Sequence, residues 1–280
     1  MPPSVRQPTP PMRRAPAGYQ ILDQHPGLFG DIFVVERDGR RRMRFASAWG
    51  IDQSLLDLRR PERPPAAYLR ALGLASRLHP SVRRVLLRGL GGGGAVRLLQ
   101  TAAPGCRIVA IEADGAVITL ARQWFDVRPG PALEIIEADV REFLRGARSS
   151  AAGFDLILHD LYDEDAMPLE LTTEDLFGAL RDRLAPGGLL IVNLGMPSEA
   201  RERPIVRRFA GIFPQPGCEF RMPADHNRLL IGSQTPFPGA ADIRRLARRL
   251  DRERAFAFPV LPYARRYHAL PKPRARRPRT

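Results

Sequence analysis

Cysteine and long apolar runs are scarce in this chain of 280 residues, and each scarcity excludes a class of protein. The two cysteines, Cys106 and Cys218, lie far apart without a CxxC or CxxH motif, so the sequence predicts neither a disulfide framework nor a metal site. No apolar run reaches the length that crosses a bilayer, and the proline-rich start lacks the apolar core of a signal peptide. We therefore expect a cytoplasmic protein with no membrane partner and no metal.

Basic charge is concentrated at the two ends of the chain. The formal net charge is +14, and Lys272 is the only lysine beside 43 arginines. Residues 1–20 carry +3 and residues 264–280 carry +7 without any acid, so only +4 belongs to the body. Because both ends are also rich in proline, we predict disordered tails at 1–18 and 259–280. The arginine bias is more typical of genome composition than of phosphate recognition, so we expect no nucleic-acid partner.

A glycine-rich turn follows the first strongly apolar strand of the body. The strand is predicted at 84–88, five glycines occur within residues 89–94, and the apolar spacing then becomes helical. Gly89, Gly91 and Gly94 match the spacing of nucleotide-binding turns, in which missing side chains let the backbone approach a ligand. A glycine cluster is equally typical of a flexible loop, so this turn does not decide the function alone.

Each of the next three predicted strands ends in a carboxylate. Glu112, Asp139 and Asp160 follow strands predicted at 107–111, 133–137 and 154–159. Because the carboxyl ends of parallel strands form one edge of a sheet, these acids should converge with the glycine turn on one crevice. A carboxylate in the position of Glu112 accepts hydrogen bonds from both hydroxyls of a ribose. The combination predicts a nucleoside-binding site, although each acid on its own is also typical of a solvated strand end.

The flanking patterns predict the rest of the fold. Residues 31–37 and 40–46 are strand-like on either side of Asp38-Gly39, a strong hairpin signal. A fifth buried strand is predicted at 189–194, followed by an antiparallel pair that closes the sheet. We therefore predict an α/β fold with a doubly wound, mostly parallel Rossmann-like sheet, in which an N-terminal β element at 19–60 precedes a nucleoside-binding domain at 61–258.

These motifs occur in an order that resembles the spermidine synthase family of polyamine aminopropyltransferases, relatives of the class I S-adenosylmethionine-dependent methyltransferases. The likeness covers about residues 29–233. Besides the hairpin and the glycine turn, it includes Gln53-Ser54, Tyr68, Ile111-Glu112, residues 121–125, residues 139–144, Phe154-Asp155-Leu156-Ile157, Asp160-Leu161-Tyr162-Asp163, residues 171–174 and residues 184–188.

The resemblance implies a role for each site residue, a methyltransferase-like fold and a transferase activity. It implies that Asp160 is the central catalytic acid and that Tyr68, Tyr162 and Asp163 line a pocket for a small-molecule amine, although Asp163 is also typical of a solvated loop. The co-substrate would be decarboxylated S-adenosylmethionine or S-adenosylmethionine, and the N-terminal hairpin would form a homodimer. The implied cofactor-binding residues are Gln53, Gly89, Gly91, Gly93, Glu112, Asp139 and Val140.

Three departures from the family pattern keep other functions open. Gly92 replaces an acid that holds the ammonium of the donor, and Leu69-Arg70 replaces a polar His-Glu pair beside the amine. Arg88 is unexpected at the end of its strand; it would either pair with the carboxylate of intact S-adenosylmethionine or turn outward towards Glu134 or solvent. The first hypothesis is aminopropyl transfer, the second is methyl transfer to an unknown acceptor, and the third is a non-catalytic nucleoside-binding or interaction protein.

Overall fold

The structure, a computed structural model, describes residues 17–146, 153–160, 169–195, 199–222 and 227–271. Within these ranges the chain forms one sheet of four strands and one of eight, with helices on both faces of the larger sheet. None of the helices in the described ranges is long and apolar enough to cross a membrane.

The N-terminal part is an antiparallel four-stranded meander. The predicted hairpin is confirmed: its strands meet at Asp38-Gly39, where both residues have positive φ (55° and 72°), as a tight two-residue turn requires. Ile32, Val34 and Met43 are buried on the side that faces the rest of the molecule. The strands are β1 (Gln20–Gly27), β2 (Gly30–Arg37), β3 (Arg40–Phe45) and β4 (Asp52–Asp57).

The larger sheet has the order β12-β10-β11-β9-β8-β5-β6-β7. The five strands from β9 to β7 are mutually parallel, and β11, β10 and β12 join them as an antiparallel extension. The strands are β5 (Arg84–Arg88), β6 (Arg107–Glu112), β7 (Leu133–Glu137), β8 (Phe154–His159), β9 (Leu184–Gly195), β10 (Cys218–Met222), β11 (Asn227–Ser233) and β12 (Tyr267–Ala269).

Helices cover both faces of this sheet. The first face packs against α1 (Ala67–Ser76), α2 (Gly94–Ala102), α3 (Gly115–Trp124), α7 (Ala240–Arg252) and α8 (Leu261–Ala264). The second face packs against α4 (Val140–Arg145), α5 (Glu174–Arg181) and α6 (Glu199–Gly211). Because side chains alternate along a strand, Val85 and Leu87 of β5 belong to the first face and Leu86 to the second. The predicted doubly wound, mostly parallel α/β fold with an N-terminal β element is confirmed.

The small sheet packs on α3 at its carboxyl end. The indole nitrogen of Trp124 donates to Asp23 at 2.8 Å, and Arg41 donates to the Trp124 carbonyl at 2.6 Å. The Arg41 guanidinium also lies 5.4 Å from the centre of the Trp124 ring. These contacts hold β1 and β3 against the end of α3.

The structure corrects the predicted C-terminal tail over residues 259–271. Residues 259–271 were expected to be disordered, yet α8 and β12 lie within them, and Val260 and Leu270 are buried. The backbone amide of Val260 donates to the Asp251 carboxylate at 2.7 Å, and β12 pairs with the edge strand β10. A few large apolar residues among many arginines are therefore enough to fold this segment against the sheet, because they fill an existing edge.

Candidate functional site

The candidate site lies where the chain direction across the larger sheet reverses. Strand β5 has β6 on one side and β8 on the other, and all three run parallel, so their carboxyl ends form a crevice. The Asp160 backbone amide, just after β8, donates to the Arg88 carbonyl at the end of β5 at 2.9 Å. The structure thus brings Asp160 next to the start of the glycine turn, as the sequence predicted for neighbouring parallel strands.

Asp160 has a partner for each of its carboxylate oxygens. The Tyr68 hydroxyl on α1 donates to Oδ2 at 3.1 Å, and Asn193 Nδ2 on β9 donates to Oδ1 at 2.8 Å. Burial raises the pKa of Asp160 to about 6, and the two hydrogen bonds hold it back from a larger rise. Asp160 therefore changes its charge near neutral pH, as a group that accepts a proton in a reaction needs to do.

The glycine turn has the left-handed backbone that its residue types predict. Gly89, Gly91 and Gly93 have φ of 93°, 49° and 68°. At Gly93, a Cβ would also collide with a methyl group of Val127, so both conformation and space require glycine there. The turn leads directly into α2, whose N-cap is Gly93.

Glu112 at the end of β6 supports this turn. Its carboxylate accepts hydrogen bonds from the backbone amides of Leu90, at 2.9 Å, and Asp114, at 3.1 Å. Burial raises the pKa of Glu112, and those amide hydrogen bonds oppose the rise. One carboxylate therefore joins the ends of β5 and β6.

The strand β4 meets the turn through Ser54. The backbone amide of Gly92 donates to Ser54 Oγ at 2.7 Å. A Cβ at Gly92 would lie 2.8 Å from a ring carbon of Phe125 and 3.0 Å from the Ser54 Cβ. Phe125 and Ser54 therefore fill the space that a side chain at position 92 would need. Gln53, the neighbour of Ser54, lies half-buried in β4.

Asp139 and Val140 lie at the end of β7, where α4 begins. Asp139 Oδ1 accepts from the Arg141 amide at 2.7 Å and caps this helix. Burial raises the pKa of Asp139, but the hydrogen bonds and charge of Arg141 outweigh it and leave the pKa below its usual value. Asp139 is therefore an anion at the far side of the crevice, with Val140 buried beneath it.

Arg70 does not face Asp160. Its guanidinium donates to the carbonyls of Pro64, at 2.9 Å, and of Pro65. The Arg70 guanidinium therefore anchors the loop before α1.

Arg88 and His159 lie side by side on the second face, at paired positions of β5 and β8. Both are fully buried, and the three guanidinium nitrogens of Arg88 and Nδ1 of His159 have no hydrogen-bond partner in the described chain. Arg88 thus neither turns to solvent nor contacts Glu134. Burial lowers its pKa to about 9, although the charge of Asp139 raises it.

Two of the predicted site residues, Tyr162 and Asp163, lie outside the described residues. The sequence patterns assigned no role to Ser54, Asn193 or Asn227. The structure shows that Asn193 donates a hydrogen bond to Asp160 and that Asn227 donates one to Asn193. A signal was present for Asn193, because it is the one polar residue in the predicted buried strand 189–194. Among the described residues, no three His, Cys, Asp or Glu side chains are grouped to hold a metal ion.

Sequence comparison finds relatives among the aminopropyltransferases, although no protein-family model matches the chain. A polyamine aminopropyltransferase of Vibrio vulnificus is 24% identical over 235 residues, which cover 82% of this chain and 77% of that protein. A polyamine aminopropyltransferase of Mycobacterium tuberculosis is 41% identical over 133 residues, which cover 44% of this chain and only 25% of that longer protein.

Solved structures share the fold. A probable spermidine synthase from Corynebacterium glutamicum aligns with a TM-score of 0.68 at 23% identity, over 81% of this chain and 87% of that one. A spermidine synthase in complex with the transition-state analogue AdoDATO aligns with a TM-score of 0.66 at 19% identity, over 86% and 88%. Human methyltransferase-like protein 13 in complex with SAH aligns with a TM-score of 0.57 at 21% identity, over 66% and 89%. The predicted resemblance is confirmed: this chain is a transferase similar to the spermidine synthase family, with the methyltransferase-like fold of that family.

Proposed function

We propose that this chain transfers an aminopropyl group from decarboxylated S-adenosylmethionine to an amine nitrogen of a polyamine. The observation that carries the proposal is the Asp160 carboxylate at the carboxyl end of β8. Tyr68 and Asn193 hold it there by hydrogen bonds, and its pKa is about 6. Its position beside the glycine turn puts it next to any nucleoside bound there. The names of the aminopropyltransferase relatives support the same reaction.

The proposed reaction is an in-line displacement. The amine nitrogen attacks the aminopropyl carbon bonded to the sulfonium, the new C–N bond forms, and the C–S electron pair returns to sulfur to give a neutral thioether. An alkylammonium is protonated at neutral pH and has no free electron pair until it loses a proton. Asp160 as an anion attracts this cation and accepts its proton, directly or through water.

The proposed nucleoside contacts follow the carboxyl ends of the strands. Glu112 would accept hydrogen bonds from the ribose, and Asp139 with the Val140 amide would meet the adenine edge. Gly89, Gly91 and Gly93 would let the backbone approach the sulfonium end, and Gln53 would contact it from β4. The amine would lie against Tyr68, and we extend this pocket to Tyr162 and Asp163 on the resemblance alone.

The test supplies decarboxylated S-adenosylmethionine with linear diamines and triamines and measures methylthioadenosine and the lengthened amine by mass spectrometry. We expect both products in equal amounts, and a loss of at least 100-fold for Asp160→Asn, whose thermal stability should match that of wild type below about pH 4. Turnover that is equal in the two proteins would contradict the role of Asp160. Absence of turnover with every amine, together with nucleoside binding, would favour a non-catalytic binding protein.

Methyl transfer from intact S-adenosylmethionine is the second candidate, favoured by Gly92. The space of the family's ammonium-binding acid is filled by Phe125 and Ser54, so one anchor of the aminopropyl donor is missing. Calorimetric titration with intact and with decarboxylated S-adenosylmethionine distinguishes the two candidates, because these ligands differ by one carboxylate. Tenfold tighter binding of the decarboxylated form, about 1.4 kcal/mol, would support aminopropyl transfer. Tighter binding of the intact form would overturn it in favour of methyl transfer.

A homodimer through the N-terminal sheet is proposed on the resemblance alone. Sedimentation at micromolar concentration should give about twice the chain mass of 31.2 kDa. A monomer mass would overturn the dimer without affecting the proposed reaction.

A further inference from the structure

A chain of two amides leads from the Asp160 carboxylate into the antiparallel part of the sheet. Asn193 Nδ2 donates to Asp160 Oδ1 at 2.8 Å, and Asn227 Nδ2 donates to Asn193 Oδ1 at 3.0 Å. The three residues lie on neighbouring strand ends of β8, β9 and β11, on the first face of the sheet. Asn193 is 1% exposed, so its amide depends on protein partners.

The direction of this chain follows from the acid. A carboxylate accepts hydrogen bonds and donates none, so Asn193 has to present its NH2 group to Asp160. Its carbonyl oxygen then points towards Asn227, which meets it with an NH2 group. A reversed Asn193 amide would bring two oxygens together at Asp160 and two NH2 groups together at Asn227. The second amide thereby reinforces the orientation in which the NH2 group of Asn193 reaches the acid.

We propose that Asn193 and Asn227 are positioning residues, which fix the orientation of the Asp160 carboxylate towards the crevice. With Oδ1 held by Asn193 and Oδ2 by Tyr68, the plane of the carboxylate is defined from two sides. An amine or its proton then meets an acid that does not rotate away. The inference rests on the proposed function for its meaning in catalysis, but the arrangement itself is tested without turnover.

The titration of Asp160 is the direct readout, because the amide chain donates to its charged form. Among the described residues, Tyr68 on α1 is the titratable side chain that contacts it. Arg88 and His159 lie at the same level but on the second face, and Arg228 of β11 is paired there with two glutamates. Changes at Asn227 therefore reach Asp160 through Asn193 and leave those charges in place.

The experiment compares two variants at one position. Asn227→Leu removes the amide that orients Asn193, and Asn227→Asp replaces it with a nearly isosteric group that accepts from Asn193 Nδ2. We expect the first change to raise the titration midpoint of Asp160 by about one pH unit, because a hydrogen bond to a charged group is weakened. The second should raise it further, because the carboxylate introduced at position 227 turns the Asn193 amide away from Asp160 and adds a like charge.

The midpoint is measured by 13C NMR on protein with labelled aspartate side chains, in which Asp160→Asn identifies the resonance. Ser233→Ala serves as a matched control, because Ser233 is buried on the same strand, bonds Thr235 and lies at the far end of β11 from Asn227. It should leave the midpoint unchanged. An unchanged midpoint in Asn227→Leu would overturn the inference even where the enzyme turns over.

Kinetics then separate the inference from the proposed function. In the active enzyme, the acid limb of the kcat/KM profile should shift upward by the same amount as the NMR midpoint. If the Asn227 variants shift the NMR midpoint but neither the wild type nor any variant shows turnover, the result would support the positioning role and reject the proposed function. Because Asn227 is only partly buried, its variants should fold where an Asn193→Leu variant does not.

Discussion

Arg88 carries a fully buried guanidinium, and its burial has a large energetic cost. A buried guanidinium loses its hydration, and within the described chain nothing accepts its hydrogen bonds. Its neighbour His159 is neutral at pH 7, because burial and the charge of Arg88 lower its pKa well below the usual value. His159 Nε2 donates to the Leu171 carbonyl at 3.0 Å, so Nδ1 is left as an acceptor.

Replacing Arg88 by an apolar residue should therefore stabilise the fold. We expect Arg88→Met to raise the free energy of unfolding by about 1–4 kcal/mol, because Met fills a similar space without a charge. Denaturation in urea measures the change. Leu86→Met, on the same strand and face, is the control and should lower stability by less than about 1.5 kcal/mol. A larger loss in Arg88→Met than in the control would show that the guanidinium is stabilised where it lies.

Asp160 should make the stability of the protein depend on pH. Its folded pKa of about 6 lies above the unfolded value of about 3.9, so folding favours the protonated acid. The stabilisation is complete below about pH 4 and is lost as pH rises through 6, by about 2–3 kcal/mol in total. Asp160→Asn does not titrate and should therefore gain stability relative to wild type between pH 4 and pH 8. Parallel stability curves for the two proteins would contradict the raised pKa.

The turn between β5 and α2 shows how neighbouring elements decide what one position tolerates. Gly92 is enclosed by Ser54 from β4 and Phe125 from the end of α3. The family's acid therefore does not fit this turn unless a second element moves.

Restoring that acid should damage the fold without restoring a donor contact. We expect Gly92→Asp to lower the free energy of unfolding by about 1–3 kcal/mol, as overpacking does, and to leave binding of decarboxylated S-adenosylmethionine no tighter. Gly130→Asp is the control, because a Cβ at Gly130 meets nothing within 4 Å. Calorimetry and urea denaturation measure the two effects. Tighter donor binding by Gly92→Asp would mean that the turn adapts.

The C-terminal strand β12 and helix α8 should contribute to stability although their segment is rich in arginine. A chain that ends at residue 258 loses Val260 and Leu270, two buried apolar side chains worth about 1.5–3 kcal/mol each. A chain that ends at residue 271 keeps both and should unfold at the same urea concentration as the full chain. Equal midpoints for all three chains would show that the edge strand is dispensable.

The two sheets share one core. Ile32, Val34, Met43 and Leu56 of the small sheet pack in the same apolar cluster as α1, α2 and α3 of the larger domain. Ser54 and Arg41 add polar contacts across the same boundary.

We therefore expect the protein to unfold in a single cooperative step. Trp49 lies in the turn between β3 and β4 of the small sheet, and Trp124 lies on α3 where this helix contacts that sheet. The chain has no other tryptophan. Fluorescence of the single-tryptophan variants Trp49→Phe and Trp124→Phe should give the same transition as circular dichroism does for each variant. An earlier transition at Trp49 alone would mean that the N-terminal sheet is a separate folding unit.

Local sequence patterns predicted where strands occur along the chain and which acids follow them. Alternating and continuous apolar runs, the Asp38-Gly39 hairpin and the glycine turn depend on a few consecutive residues, so they are visible without a fold. Parallel strands then bring Glu112, Asp139 and Asp160 to one edge whatever the details of packing. These predictions and the family resemblance needed only the sequence.

Only the tertiary structure decided which side chains share a contact across distant segments. The Asn193–Asn227 chain, the enclosure of Gly92 and the packing of residues 259–271 against an edge strand each depend on residues far apart in sequence. The same holds for Arg88, whose neighbours on the second face leave its guanidinium without a partner in the described chain. The alternation of residues along a strand predicts which face of the sheet a side chain occupies. It does not predict which residues of other segments pack against that face, and these residues determine hydrogen bonding and burial.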